Sequence, residues 1–128
     1  MREIEMTRLV VPIEESSEKV KANRISRGFS LAKSVMVIDL SDFGVVTDAF
    51  SLEIDAVEGE TVLDILIGLE ADMVLSEDIE PELSELLINN NVKIALTSSK
   101  YLKDALRDLL AGRVMVIPGK EMPIRYAN

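Results

Sequence analysis

The chain has 128 residues, enough for one domain with its own hydrophobic core. It carries a net charge of −9 and contains neither histidine nor cysteine. The acidic balance disfavours nucleic acid and anionic membranes as partners. The missing cysteine excludes disulfides and thiolate metal sites together.

The amino-terminal half predicts three strands, two of them joined as a hairpin. Residues 9–13 are a short β-branched run typical of a buried strand, and the polar residues 14–23 predict a loop. Residues 33–40 form the second predicted strand, and the turn at 41–44 leads into a third strand over 45–54. The alternation in that third strand predicts one shared face for Val46, Phe50, Leu52 and Ile54.

The carboxyl-terminal half alternates helices with strands. Apolar residues at helical spacing after residue 59 predict the first helix, and residues 73–75 predict the fourth strand. Pro81 suits the first turn of a second helix, which we expect to end at the asparagines 89–91. Residues 92–96 predict the fifth strand, and the hydroxyl side chains of 97–99 can cap a third helix that ends at Gly112.

This order of elements predicts a single α/β domain with a five-stranded mixed sheet and three helices. The alternation in the second half implies parallel strands joined by right-handed crossovers, with the hairpin of strands two and three at one edge. The core spans about residues 7–114, and the tail 115–128 shows no clear period. Residues 114–117 are apolar and can pair with the chain's own sheet edge or with another copy, which makes a homodimer a possible assembly.

The first residues of the chain contain no apolar signal region, and no apolar run approaches the roughly 18 residues of a membrane helix. We therefore expect a cytoplasmic protein without a membrane partner.

The segment 25–32, Ile-Ser-Arg-Gly-Phe-Ser-Leu-Ala, is followed at once by an apolar strand that ends in Asp39. This resembles the signature of the dinitrogenase iron-molybdenum cofactor-binding family, roughly Ser-x-His-Phe-Gly-Arg-Ala and then a strand ending in Asp. The passages 70–75, 86–94 and 105–112 are similar to later family passages in the same order, so the resemblance covers nearly the whole chain. Glu70 and Asn91 stand where the family has glycine.

The resemblance implies a ribonuclease H-like fold with strand order 3-2-1-4-5 and strand 2 antiparallel. It also implies an accessory protein without catalytic activity, since members of that family include carriers for the iron-molybdenum cofactor of nitrogenase or its precursor. The departures concentrate at the expected pocket. Gly28 replaces the histidine, Ser30 and Leu31 replace Gly-Arg, and the loop 76–81 keeps its proline but loses its glycines.

Two loops supply the candidate ligand-binding residues. We expect the first loop to line a cleft and the second to approach it; the six residues are Ser26, Arg27, Gly28, Ser30, Glu77 and Asp78. Arg27 can fork onto a carboxylate or phosphate, although a solvated surface arginine is the plainer interpretation.

A hard cation is a second possibility at this end of the sheet. Glu14 and Glu15 follow strand one, and Glu77 and Asp78 follow strand four, so adjacent parallel strands would gather these four carboxylates at one end. The plainer interpretation is that acidic residues near a helix N-terminus interact with its dipole.

We predict no catalytic residues and no metal ligands, and the sequence identifies no cofactor. Strand one has no aspartate for two-metal hydrolysis, and the serines have no histidine to act as a base. Two functions remain. One is an accessory protein with a degenerate metal site; the other is a module on the same fold that binds a protein or a small anion without a metal. We expect no tight binding of an iron–sulfur or iron–molybdenum cluster, because such clusters prefer thiolate or imidazole ligands.

Overall fold

A computed structural model describes residues 6–15, 23–54 and 59–118. Within these ranges, seven strands and three helices follow one another in the order β1 Met6–Glu15, β2 Arg24–Ile25, β3 Ser34–Ser41, β4 Val46–Glu53, α1 Gly59–Gly68, β5 Met73–Ser76, α2 Pro81–Asn89, β6 Lys93–Leu96, α3 Leu102–Leu110 and β7 Met115–Ile117. A short 3-10 turn over Phe29–Leu31 lies between β2 and β3.

All seven strands belong to one mixed sheet with the order β4-β3-β1-β5-β6-β7, in which β2 pairs with β1. Strands β1, β5 and β6 are parallel, whereas β3, β2 and β7 run antiparallel to their neighbours. The predicted α/β class with three helices is confirmed. The hairpin at the sheet edge and the parallel pairing of Val74 with Ile94 are confirmed as well.

The sheet is larger than the five strands that we expected. Strand β1 extends to Glu15, into the predicted loop, and β2 pairs with its end through Ile13 and Ile25; residues 16–22 lie outside the described part. The apolar segment of the tail forms β7 on the chain's own sheet edge, where Val116 pairs with Ala95. Intramolecular pairing therefore covers the edge of β6. The remainder of the tail, 119–128, is also outside the described part.

Helices cover both faces of the sheet, so the central strands are apolar on both sides. One face packs against α1 and α2, and its buried members include Val10, Val74 and Ile94 from the strands with Leu66 and Leu87 from the helices. The opposite face packs against α3, and its buried residues include Leu9, Val11, Leu75, Leu102 and Ala105.

The prediction that Val46 shares a face of the third strand with Phe50 and Leu52 is wrong. Phe50 and Leu52 lie opposite Val37 and Val35, on the α1/α2 side. A register shift in β4 then places Val46 opposite Leu40, which packs on the α3 side. An additional residue in a strand reverses the alternation beyond it, because the side-chain period is two.

In the part of the chain that the structure describes, two non-glycine residues adopt left-handed backbone conformations, each after a helix. Glu70 has φ 57° after α1, and Asn91 has φ 60° after α2. The predicted left-handed asparagine is confirmed, and the cap of the third helix differs. Helix α3 begins at Leu102 with Tyr101 as its N-cap, while the Thr97 hydroxyl accepts a hydrogen bond from the N–H of Ser99. Within the described ranges, no helix has the length and apolar character needed to cross a membrane.

Candidate functional site

The candidate site lies at the carboxyl ends of β1 and β5, where the order of strands changes direction. From this pair the chain continues towards β3 on one side and towards β6 on the other. Open α/β sheets bind ligands in the crevice at such a point. Here the loop that precedes the 3-10 turn meets the loop between β5 and α2, as the sequence led us to expect.

Glu80 joins the two loops through its carboxylate. The N–H of Phe29 donates to Oε1 over 3.2 Å, and the N–H of Ser30 donates to Oε2 over 2.8 Å. Glu80 is also the N-cap of α2, directly before Pro81. One carboxylate therefore satisfies two consecutive backbone donors at the start of the 3-10 turn, the place where an external anion would bind.

Gly28 provides the space for this carboxylate. A Cβ atom built on Gly28 would lie 2.9 Å from both carboxylate oxygens of Glu80. The backbone of Gly28 is extended, with φ −171°, so any residue could adopt its conformation. Glycine is required here for close approach and not for its φ angle.

The surroundings of Glu80 favour its charged form. Burial acts to raise the pKa of this carboxyl, but the hydrogen bonds from Ser30, from its own N–H and from Phe29 together outweigh burial and lower the pKa below its ordinary value. The site therefore contains an anion from the chain itself throughout the physiological pH range.

Two buried serines hold the loops in position. The Ser76 hydroxyl donates to the carbonyl oxygen of Asp78 over 2.6 Å and lies 3.3 Å from that of Ser26. The Ser26 hydroxyl donates to the carbonyl oxygen of Gly28 over 2.5 Å. Both hydroxyl groups are buried and directed at backbone carbonyls. These hydrogen bonds fix the backbone of the two loops.

The remaining predicted residues occupy the outer part of the site. Ser30 is exposed, and the Arg27 side chain is 73% exposed, with its Nε 4.0 Å from Oε1 of Glu77. The Asp78 carboxylate accepts the N–H of Ile79 over 2.8 Å. Gly28 and Ser30 thus meet Glu80, Arg27 meets Glu77, and Asp78 bonds within its own loop.

Two of the acidic residues expected to hold a cation are each paired with an arginine. Glu14 pairs with Arg24, whose Nε lies 3.6 Å from Oε2, and Glu77 faces Arg27. The side chain of Glu15 lies outside the described part. Across residues 6–15, 23–54 and 59–118, no three acidic, histidine or cysteine side chains form a group that could hold a metal ion.

The residues at this site do not fit an iron–molybdenum or iron–sulfur cluster. The whole chain lacks the thiolates and imidazoles that ligate such clusters. The backbone N–H groups that could receive an anionic cluster already donate to Glu80, and the resulting carboxylate would repel a further anion.

Glu80 is the residue whose role the sequence did not reveal. Its position before Pro81 indicates a helix start, and acidic residues are favoured there by the helix dipole. Nothing local indicates that its carboxylate reaches residues that lie 50 positions earlier in the chain. Gly28 is the nearest available signal in the sequence, because a glycine marks either a left-handed turn or the close approach of another group. Its extended φ in the structure shows that close approach is the reason.

Comparison with known proteins gives structural neighbours only. No family model matches the chain, and no curated protein matches its sequence. The apo form of the orange protein from Desulfovibrio gigas matches with a TM-score of 0.70 over 91% of this chain and 98% of its own, at 17% sequence identity.

Two further neighbours carry names that refer to nitrogenase. A Methanocaldococcus jannaschii protein provisionally named a dinitrogenase has a TM-score of 0.68 at 13% identity, covering 91% of this chain and 97% of its own. A Thermotoga protein provisionally named NifB, of the DUF35 family, has a TM-score of 0.67 at 15% identity, covering 84% and 90%. The chain is therefore similar in fold to proteins with nitrogenase-associated names.

Proposed function

We propose that this protein is a non-catalytic accessory protein on the fold of its nitrogenase-associated neighbours, with a metal site that has degenerated. The names of two neighbours support the nitrogenase association, and the resemblance of the segment 25–39 to the cofactor-binding signature supports it independently. The observation that carries the degenerate site is the Glu80 carboxylate, bound to the N–H groups of Phe29 and Ser30 against Gly28.

In this proposal the Glu80 side chain occupies the position at which a cluster would otherwise bind. A cluster would have to displace Glu80 from two hydrogen bonds, and no imidazole or thiolate would then compensate for the loss. The accessory role therefore depends on contacts with other proteins, or on ligands that a partner supplies.

The alternative is a module that binds a protein or a small anion and has no metal role. Glu80 disfavours the anion, because it already occupies the two backbone donors. An exposed apolar patch at the other end of the sheet, around Phe43, favours protein binding.

Anaerobic titration with the iron–molybdenum cofactor, or with its precursor, tests the degenerate site. We expect no stoichiometric uptake at micromolar concentrations by the protein alone. Stoichiometric uptake at micromolar concentration or tighter would contradict the proposal. Protein purified without a tag from its native host should likewise contain no stoichiometric iron or molybdenum.

A restored ligand sharpens this experiment. Gly28→His alone should gain little, because its Cβ would lie 2.9 Å from the Glu80 oxygens. The double variant Gly28→His/Glu80→Ala frees both the space and the N–H groups, so we expect tighter uptake by the double variant than by either single one. Leu110→His/Glu80→Ala is the matched control, since Leu110 is an exposed residue at the end of α3. Equal uptake by both double variants would place any binding elsewhere.

A further inference from the structure

The turn between β3 and β4 presents an aromatic side chain to solvent. Phe43 is 89% exposed, and Val45, Val46 and Leu110 near it are also exposed. Leu110 belongs to the same surface, because its Cδ2 lies 3.1 Å from the position of a Cβ on Gly44. We call Phe43, Val45, Val46 and Leu110 the hairpin patch. Single exposed apolar residues are ordinary, whereas several on one turn and the adjoining helix end are typical of an interaction surface.

An apolar groove of about 210 Å³ opens beside the hairpin patch. Leu9, Leu40, Met73 and Leu109 contribute its apolar wall, while Asp42 and Gly44, the residues on either side of Phe43, contribute to its rim. Pockets for small molecules begin at about 300 Å³, so the groove is small for a metabolite and closer in size to one large side chain. Phe43 does not fill the groove of its own chain, since it is almost wholly exposed.

We propose that a second copy of this chain binds here, with Phe43 of each copy inserted into the groove of the other. A two-fold interface requires one surface to carry both a protruding group and the depression that receives it. The hairpin patch meets this requirement because the rim of the groove flanks the aromatic residue itself. Two identical insertions then close the assembly at a dimer.

The size and charge of the surface determine the strength of this dimer. An aromatic side chain buries about 150–250 Å², so two of them with their surroundings place the interface at the low end of specific ones, near or below about 1,200 Å² in total. Each copy carries a net charge of −9, so the copies repel each other at long range. We therefore expect a weak dimer that salt strengthens, because salt screens the repulsion while the apolar contact persists.

This surface is separate from the Glu80 site. The groove lies at the amino ends of β1 and β5, near Thr7 and Met73, whereas Glu80 follows the carboxyl end of β5. A negative result at one end of the sheet leaves the proposal for the other end intact.

Sedimentation equilibrium from about 10 µM to about 1 mM is the first test, at low and at moderate salt. We expect a monomer–dimer equilibrium that shifts towards the dimer with salt. Phe43→Ser should weaken it at least about tenfold, as truncation of a central aromatic anchor does. Leu31→Ser removes a residue that is 56% exposed elsewhere on the surface and should have no effect. A monomer throughout, or equal effects of both variants, would overturn the proposal; association that salt weakens would indicate a different, charge-driven contact and reject it as well.

Crosslinking tests the geometry directly, because the chain has no native cysteine. Phe43→Cys and Leu110→Cys, mixed in equal amounts and oxidised, should form the mixed disulfide dimer. That pair brings Cys at position 43 of one copy to the rim of the other copy's groove, while the second Phe43 and its groove remain intact. A mixture of Phe43→Cys and Leu31→Cys should form much less. Equal yields from the two mixtures would exclude the inserted arrangement.

Discussion

Glu80 acts as an internal ligand for the loop that carries the cofactor-binding resemblance. A backbone N–H without a partner is costly when it is shielded from water, as the part-buried N–H of Phe29 is, and the same carboxylate also accepts the exposed N–H of Ser30. Gly28 permits the contact by leaving the space that its side chain would occupy. The local chemistry of the two residues is thus one arrangement, and a change at either position affects the other.

Glu80→Gln should lower the free energy of unfolding at pH 7 by about 1 kcal/mol, a charge-assisted contribution reduced by partial exposure to solvent. The pKa of Glu80 in the folded protein lies below its ordinary value of 4.5. Its stabilisation is therefore present above the ordinary pKa and is lost as the pH falls through the folded pKa.

Urea unfolding followed by circular dichroism from pH 7 to about pH 3 measures this effect. The difference between wild type and Glu80→Gln should be constant near neutrality and narrow progressively below about pH 4.5. Glu82→Gln, an exposed substitution in the first turn of the same helix, controls for the loss of one charge. A difference in unfolding free energy between wild type and Glu80→Gln that stays constant down to pH 3 would contradict a lowered pKa for Glu80.

Gly28→Ala should destabilise the wild-type protein by about 1–2 kcal/mol, because the new Cβ displaces the Glu80 carboxylate. In a Glu80→Ala background the same change should cost close to nothing, since its backbone conformation suits alanine. Gly68→Ala is the control, because a Cβ at Gly68 meets nothing within 4 Å. Additive effects of the two substitutions would show that Gly28 and Glu80 act independently.

At the scale of elements, the helices α1 and α2 are each followed, two residues after their last residue, by a non-glycine residue with a left-handed backbone. Glu70 has φ 57°, a left-handed conformation in which its Cβ crowds the backbone and which glycine adopts without this cost. Asn91 has φ 60°, but asparagine tolerates this region. The two termini direct the chain back into β5 and β6 of the parallel sheet.

Glu70→Gly should therefore stabilise the protein by about 0.5 kcal/mol, the relief of strain less the added freedom of the unfolded chain. Asn91→Gly should gain less. Glu85→Gly, at an exposed position inside α2, should instead cost about 1 kcal/mol. Chemical denaturation of the three variants is sufficient to measure these differences, and a destabilised Glu70→Gly would contradict the account.

The edges of the sheet differ in how they are protected. Strand β7 covers β6 but is only three residues long and is followed by Pro118, which cannot donate to a ladder. Strand β4 has eight residues, all of them exposed, and its turn carries the hairpin patch. The proposed dimer buries the start of this second edge, at Val46 and the turn that precedes it.

At the scale of the whole molecule, a net charge of −9 on 128 residues repels itself in the compact state. Raising the salt concentration from about 20 mM to about 150 mM at pH 7 should increase the Tm by a few degrees, since the Debye length falls to about 8 Å. Calorimetry at dilute protein concentration measures the change without a contribution from the dimer. Near the isoelectric point of about 4.5 the effect should largely disappear, and a falling Tm at pH 7 would contradict it.

The sequence by itself determined the elements that depend on local patterns. Short apolar runs predicted β1, β3, β5 and β6, helical spacing predicted the three helices, and Asn91 indicated a left-handed cap. These features depend on residues a few positions apart, so the period and the backbone preferences are legible along the chain. The absence of histidine and cysteine likewise excluded imidazole and thiolate metal ligands from the sequence alone.

Only the tertiary structure decided the features that join distant segments. The two-residue β2, the pairing of β7 with β6 and the shifted face of Val46 each depend on neighbouring strands. The Glu80 carboxylate binds Ser30 across 50 positions of sequence, and its local sequence indicates no more than a helix start. Strand register, edge pairing and the contact between the two loops depend on segments that are distant in sequence, so that information lies in the fold as a whole.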